Sequence, residues 1–444
     1  MDRRKFIKTS ALGCGVAALP ELAQARTADK AITSQHVATE EFVREPARRI
    51  PVLDSADVVV VGGGPAGFAA AVSAARAGCS VYMIERYNHL GGLWTGGLVL
   101  VLNCTHGLAK NGKWSQAICG ISDELMERLY KIGMSDRYPE QPTPDPEACK
   151  YMMGEMVEEA GIHVIYGSLA ANVLMSGDRI DSVLVETKSG RVALRAKMVI
   201  DCTGDGDVIE WAGDSFVNFK CEMGLNSRLG GIDTVNADAP GYVPHGVGAP
   251  TPIPSVGWVN MREGEPVDAL DVKALSACQH QFRKTIWERV EKLRKCPGYE
   301  KVFLLDTASQ LGVRAGRILQ SVHNVTLEES VTYAEFDDVV GVSGSWTTVP
   351  FRDRKIQSKE RPIWQIPLRA LIPKKCTNLF VAGRCFGFEE GLFEDAREIG
   401  TCLVTGQGAG VAAAVAVAQR CSNKDVDVRR VQTILRQQKV RLDV

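Results

Sequence analysis

Residues 57–85 read DVVVVGGGPAGFAAAVSAARAGCSVYMIE, and this stretch decides the fold. The apolar run Val58–Val61 is short and bounded, as a buried strand is. It enters Gly62, Gly64 and Gly67 in G-x-G-x-x-G spacing, and a helix of small residues follows with Ala69, Ala70, Ala71, Ala74 and Ala75. Cys79–Ile84 reads as a second strand ending in Glu85. Each part has a physical task. Gly62 permits a tight turn, Gly64 lets the backbone approach a pyrophosphate, and Gly67 with the alanines lets the helix lie close on the sheet. The helix N-terminus offers its N–H groups and the positive end of its dipole to the phosphates. Glu85 stands about twenty residues on, where a carboxylate accepts from a ribose hydroxyl. The whole unit points to a bound dinucleotide. The alternative is a glycine-rich turn in some other α/β unit.

The fingerprint does not separate NAD from FAD, but two further features favour FAD. Glu85-Arg86 is followed closely by Gly91-Gly92, a second site of close approach. Near its end the chain returns with Asn378-Leu-Phe-Val-Ala-Gly383-Arg384 and a long small-residue helix. An isoalloxazine ring needs that additional wall. Only one such fingerprint is present, so no separate NAD(P)H domain is expected.

The N-terminus carries Arg3-Arg4-Lys5-Phe6-Ile7, a short apolar stretch and the small-residue sequence Ala23-Gln24-Ala25. It resembles a twin-arginine export signal over residues 1–25, and the apolar stretch is too short to span a bilayer comfortably. A merely basic N-terminus is the alternative. Export by this route moves folded protein, so a cofactor is loaded first; the expected location is the periplasm or another extracytoplasmic compartment, with the translocase as a partner during export. The 13 cysteines are scattered without C-x-x-C pairs, which argues against metal clusters and thioredoxin-type redox centres; most read as packing residues. Removing 25 of 444 residues leaves 419, enough for two domains. With 52 basic and 53 acidic residues, nothing points to nucleic acid. No other long apolar run is evident, so no membrane span is expected in the mature chain.

Along the chain, 26–50 reads as a linker and 51–213 as the first part of a dinucleotide-binding domain. Within it, 104–120 reads as a loop, Ser122–Ile132 as a helix capped by Ser122, and 169–200 as a meander. Met198–Asp207 is a strand that stops in a Gly/Asp turn, placing Thr203 and Gly204 beside the adenosine part of a cofactor; a calcium-type acidic loop is the weaker alternative because no bidentate Glu follows. A shift to Pro- and Gly-rich sequence and then a charged helix marks 214–300 as an inserted substrate or cap region. Residues 301–444 complete the first domain, with helices from Ile399 to Arg420 and Asp427 to Gln438.

Taken in order, Arg44–Pro51, Val58–Glu85, Leu90-Gly91-Gly92, Asp201–Asp207, Leu311–Arg317, Ile366–Pro373, Asn378–Arg384 and Gly406–Gly410 resemble the bacterial FAD-dependent oxidoreductases of the glutathione-reductase-like superfamily. They are related more loosely to the fumarate reductase and succinate dehydrogenase flavoproteins. The resemblance implies an α/β, Rossmann-like FAD-binding domain with an inserted cap. It further implies that Gly62, Gly64, Pro65, Ala66, Gly67, Glu85, Arg86, Gly91, Gly92, Thr203 and Gly204 contact FAD. Gly383 and Arg384 lie by the cofactor, and the helix opening near Gly400-Thr401 aims its N-terminus at the flavin, where it stabilises reduced-flavin charge. The His-Pro-Thr motif of the fumarate reductases is absent and His89 is offset from the usual attachment position, so the expected FAD is non-covalent.

Flavin exchanges hydride; the protein must supply a proton carrier and substrate anchors. Arg397 stands where fumarate-reductase-like proteins hold a substrate carboxylate, against the plainer reading of an ion pair with Glu394, Asp395 or Glu398. Arg314 lies in the family's Leu-Gly-x-Arg segment, and His106 is a candidate acid or base. His245, His280, Glu389-Glu390, Trp346 and Phe388 are weaker. The sequence therefore reads as an exported enzyme acting on a small organic substrate, with a quinone, cytochrome or other redox protein as electron partner. The alternative is a flavin-binding electron carrier or an inactive homologue without a substrate of its own.

Overall fold

Ten residues, Val52–Val61, form the central strand β1, and Val58, Val59 and Val60 in it are fully buried. This is the signature of a parallel strand covered on both faces. The computed structural model describes residues 45–236, 238, 246–345 and 361–444. The export signal, most of the linker, His245 and Trp346 lie outside the described residues.

From β1 the chain turns into helix α1 (Pro65–Arg76), and strand β2 (Val81–Ile84) returns parallel to β1. Pro65 suits the first helical position, where no N–H partner is needed. Helices α2 (Ile121–Lys131) and α3 (Pro146–Glu159) follow, then strand β3 (His163–Ile165) beside β2. The meander appears as β4 (Leu169–Ser176), β5 (Arg179–Thr187) and β6 (Gly190–Asp201). Strand β6 joins both parts of the sheet. It pairs antiparallel with β5 through Gly190–Arg195 and parallel with β1 from Ala193 to Asp201. Its last three residues take β7 (Leu379–Val381) as a further parallel neighbour. Four parallel strands thus end side by side at Val61, Ile84, Asp201 and Val381. In an open parallel sheet, ligands bind beyond such carboxyl ends.

Three local expectations are corrected. The segment 104–120 is not only loop: His106–Leu108 pairs with Trp114–Gln116 as a hairpin. Helix α2 is preceded by Gly120 rather than capped by Ser122, whose buried hydroxyl has no hydrogen-bond partner. The φ of Gly120 is +75°, a conformation that suits the glycine and not a serine. The run Ile399–Gln419 is long and apolar enough to cross a membrane, contrary to the expectation of no such run. In this fold it is helix α5, packed on α1, with nearly all its residues buried. Gly406 and Gly410 face Ala66 and Ala70; a Cβ would come within 2.1 Å of the Ala66 carbonyl oxygen and 2.2 Å of that of Ala70. Small residues four apart on both helices allow this approach.

The region expected as an insert, 214–300, does not close at those bounds. Strand Phe216–Asn218 pairs with Arg317–Leu319, and Ser227–Gly230 pairs with both Val256–Val259 and Phe303–Thr307. Its partner strands therefore lie beyond residue 300, and Ile50–Val444 form one compact unit. The charged helix α4 (Val272–Leu293) packs on the Phe303–Thr307 strand. Asp271 caps it, accepting from the N–H groups of Lys273 and Ala274, each at 3.0 Å. Asp271→Ala is expected to lower stability by about 1 kcal/mol, read as a lower midpoint in a thermal melt with FAD binding unchanged. The last helix, α6 (Val428–Gln437), packs on α5.

Candidate functional site

The four strand ends open on a cavity of about 700 Å³, a size ordinary for a cofactor and substrate site. The glycine turn closes one end. Gly62 has φ +102°, and a Cβ there would lie 2.4 Å from the Cys202 carbonyl oxygen. Gly64, Pro65 and Ala66 put the N-terminus of α1 on the cavity wall. Gly92 lies across from Gly64, so close that a Cβ would sit 3.0 Å from the Gly64 Cα.

Glu85 is buried at the end of β2. Its oxygens accept from Gly63 N at 2.6 Å and Tyr87 N at 2.7 Å, so it braces the glycine loop as well as lining the cavity. Burial pushes its carboxyl up, and those two N–H groups oppose the shift. Arg86, Thr203 and Gly204 line the same end. Asp201 spends its oxygens within the turn, accepting from Thr203 N and Oγ1 and from Ile209 N. Among the described residues no group of three or more His, Cys, Asp or Glu is placed to hold a metal ion.

Gly383 and Arg384 line the wall beside the glycine turn: a Cβ on Gly383 would lie 2.8 Å from the Ala66 Cβ, and one on Gly204 2.9 Å from Arg384 Nη2. Gly383 N donates to Thr405 Oγ1 at 3.0 Å, which ties β7 to α5. Arg384 donates to Asp205 at 2.7 Å through Nη2, while its buried Nη1 has no hydrogen-bond partner. Helix α5 opens on the cavity through Glu398, Ile399 and Cys402. A glycine-lined cradle, two helix N-termini and an unpaired guanidinium edge fit a diphosphate-bearing cofactor.

Four sequence-derived residues fall elsewhere. Gly67 is behind the wall: a Cβ there would meet the Gly62 oxygen at 1.7 Å, so its task is helix–turn packing. Gly91 donates its N–H to Gly63 O at 2.8 Å and does not line the cavity. The Thr401 side chain points into the core, donating to Asp395 O at 2.8 Å and meeting Ser343 Oγ at 2.8 Å. His106 sits in the hairpin, its Nδ1 3.1 Å from Thr105 Oγ1, off the cavity wall. Burial lowers its pKa. Among the weaker candidates, His280 and Glu389-Glu390 are exposed and off the wall, and Phe388 packs on Phe386 in the core.

Arg314 and Arg397 do line the cavity, and a third arginine, Arg262, joins them. Arg262 pairs with Glu222 at 2.7 Å and Glu394 at 3.4 Å. Arg397 holds Glu394 tightly and stands 3.9 Å from Glu398. Arg397 is therefore an ion-pair partner, as the plainer reading has it, and its side chain also lines the cavity. Arg314 makes no ion pair among the described residues; its Nη1 donates to the backbone oxygen of Glu222 at 3.0 Å. Burial, then Arg397 and Arg262 beside it, pull its guanidinium down to about 10. It stays cationic at neutral pH, and Glu394, engaged by Arg397 and Arg262, only partly opposes the shift. Sequence reading missed Arg262, because it lies more than fifty residues from Arg314 and no motif marks it. Asn103 and Glu398 also line the cavity; the charged run 394–398 directly before an apolar helix was the available signal.

A model of the family described as FAD dependent oxidoreductase matches residues 57–228 and 247–435. Among curated relatives, thiamine thiazole synthase of Methanococcus vannielii is 29% identical over 34% of this chain and 58% of that protein. The digeranylgeranylglycerophospholipid reductase of Picrophilus torridus is 31% identical over 35% of this chain and 41% of that protein. The match thus spans 58% of the first of these curated relatives and 41% of the second. A geranylgeranyl bacteriochlorophyll reductase-like structure from Thermoplasma acidophilum is 16% identical, with a TM-score of 0.45 over 87% of this chain and 83% of that one. The family match covers the glycine turn, the strand ends and the arginine cluster. FAD is accordingly the cofactor of this enzyme, and the chain belongs to the family of FAD dependent oxidoreductases.

Proposed function

We propose that this chain is an exported FAD-dependent oxidoreductase that exchanges two electrons with a small organic substrate bearing a carboxylate or similar anionic group. The observation that carries the substrate class is Arg314: a half-buried cation without an ion-pair partner among the described residues, on the wall of the cavity. Arg397 and Arg262 surround it but are engaged by Glu394 and Glu222. An incoming anion finds charge there that its own desolvation would otherwise lack.

FAD, when bound, supplies hydride acceptance or donation. Arg314 binds and orients the substrate's anionic end. Trp258, whose indole Nε1 donates to Leu98 O at 2.6 Å, and the first turns of α4, with Leu275, Ser276 and Gln279, complete the wall on that side. The cofactor is held non-covalently in this reading: His89 turns its Nδ1 towards Leu90 O at 3.1 Å and is not on the cavity wall. Electrons pass to or from a quinone, a cytochrome or another redox protein, because export removes the enzyme from soluble NAD(P)H.

The test is a visible spectrum of purified protein lacking residues 1–25, before and after acid precipitation, followed by titration with acetate, succinate and benzoate. Yellow protein that releases its colour on precipitation, with a flavin band that shifts saturably with at least one carboxylate, is the expected result. Colour left in the pellet overturns non-covalent binding. A yellow protein indifferent to all three acids favours an electron carrier over an enzyme of anionic substrates.

A further inference from the structure

Glu398 stands where the apolar helix α5 begins. Its backbone caps the helix, and its side chain is buried against the cavity. The neighbouring charges are unevenly shared. Arg397 is committed to Glu394, and Glu394 also takes Arg262 at 3.4 Å. Glu398 is left 3.9 Å from Arg397, with one long hydrogen bond from Asn103 Nδ2 at 3.3 Å. Behind it are the Asp395 carboxylate, to which Ser345 Oγ donates at 2.6 Å, and the thiols of Cys104 and Cys402. Arg314 feels the charges of Arg397 and Glu394, and Arg361, whose Nε donates to Ser345 O at 3.3 Å, acts on Cys104. This carboxyl lies on the wall with Asn103 as a side-chain donor and Arg397 at 3.9 Å, beyond hydrogen-bond distance.

We propose that Glu398 is the acid–base group of the cavity, holding the proton that the substrate releases or recovers. This rests on the reading of the cavity as a substrate site. In the oxidising direction a substrate H–C–X–H loses the proton of X–H to a Glu398 carboxylate oxygen. The substrate C–H bond would break with its electron pair leaving as hydride, which bound FAD would accept, and a C=X bond would form. In the reducing direction Glu398 returns the proton to X as hydride returns to carbon. Burial pushes the Glu398 carboxyl up, Arg397 and Asn103 oppose the shift, and Glu394 and Asp395 add to it. The group is thereby suited to carry a proton closer to neutral pH than an ordinary carboxyl.

The experiment needs no known substrate. The FAD-loaded protein is titrated from pH 5 to 9 while the visible flavin band is recorded, since that band responds to a nearby charge. The expected result is a one-proton transition above the ordinary carboxylate range, absent in Glu398→Gln although FAD is retained, and present again in Glu398→Asp. Asn103→Leu removes a donor to the charged form and is expected to move the transition to higher pH; it serves also if Glu398→Gln does not fold. A transition unchanged in Glu398→Gln, or unmoved in Asn103→Leu, overturns the proposal, as does a parent protein with no transition. Carboxylate titration of the same samples separates the two readings: a response to acids without a Glu398 transition leaves the anion site standing, and a transition without a response removes only that site.

Discussion

Gly67→Ala is expected to yield colourless protein with a depressed melting temperature that added FAD does not restore. The added Cβ lies 1.7 Å from the Gly62 oxygen and 2.9 Å from its carbonyl carbon, and both are backbone atoms. Gly62 has no room to retreat, because it already has φ +102° against the Cys202 carbonyl. The helix must therefore lift from the turn, carrying Gly64 and Pro65 away from the diphosphate position. Overpacking of this kind costs about 1–3 kcal/mol or more. Loss of a ligand that saturates the native state a hundredfold removes about 2.7 kcal/mol in addition. Gly154→Ala is the control. It lies within α3, nothing stands within 4 Å of its Cβ position, and a gain of about 0.5–1 kcal/mol is expected. Flavin absorbance and a melt with and without FAD report both. Full FAD occupancy in Gly67→Ala is the result that sinks the close-packing argument.

The second large effect is expected at Arg314. Arg314→Gln keeps a polar side chain but removes the cation that makes no ion pair among the described residues. A charge-assisted hydrogen bond is worth about 1.5–3 kcal/mol, so affinity for the carboxylate that shifts the flavin band is expected to fall roughly 10- to 150-fold. FAD occupancy and the melting temperature stay close to the parent values, because Arg314 makes no ion pair among the described residues. Arg397→Ala behaves differently. It strips a buried partner from Glu394 and brings Glu398 a step closer to isolation. Removing one side of a buried pair costs about 3–5 kcal/mol, so this variant is expected to lose stability first. Equal carboxylate affinity in Arg314→Gln and the parent protein would falsify the anion site.

Residues 57–85 were legible because local rules act within them. A buried strand, a turn that only glycine fits and a small-residue helix each leave a mark on neighbouring positions. Of the residues so read, Gly62, Gly64, Pro65, Ala66, Glu85 and Arg86 line the cavity, and so do Gly92, Thr203, Gly204, Gly383 and Arg384. Gly67 and Gly91 lie just behind it, holding the turn. Thr401 was misplaced for a simple reason: the helix that points its end at the cavity turns that side chain towards Asp395 and Ser343.

The chain's own order of residues determined that an FAD-type fingerprint and its late return would close one α/β core, since hydrophobic period and glycine spacing are local properties. Only the tertiary structure decided which charges share a wall. Arg262, Arg314 and the run Glu394–Glu398 are far apart along the chain, and their balance depends on burial and on ångström-scale separations between side chains. The same is true of α5. By composition it passes for a membrane span, and it is a core helix because Gly406 and Gly410 meet Ala66 and Ala70, a fit that exists only once both helices are packed.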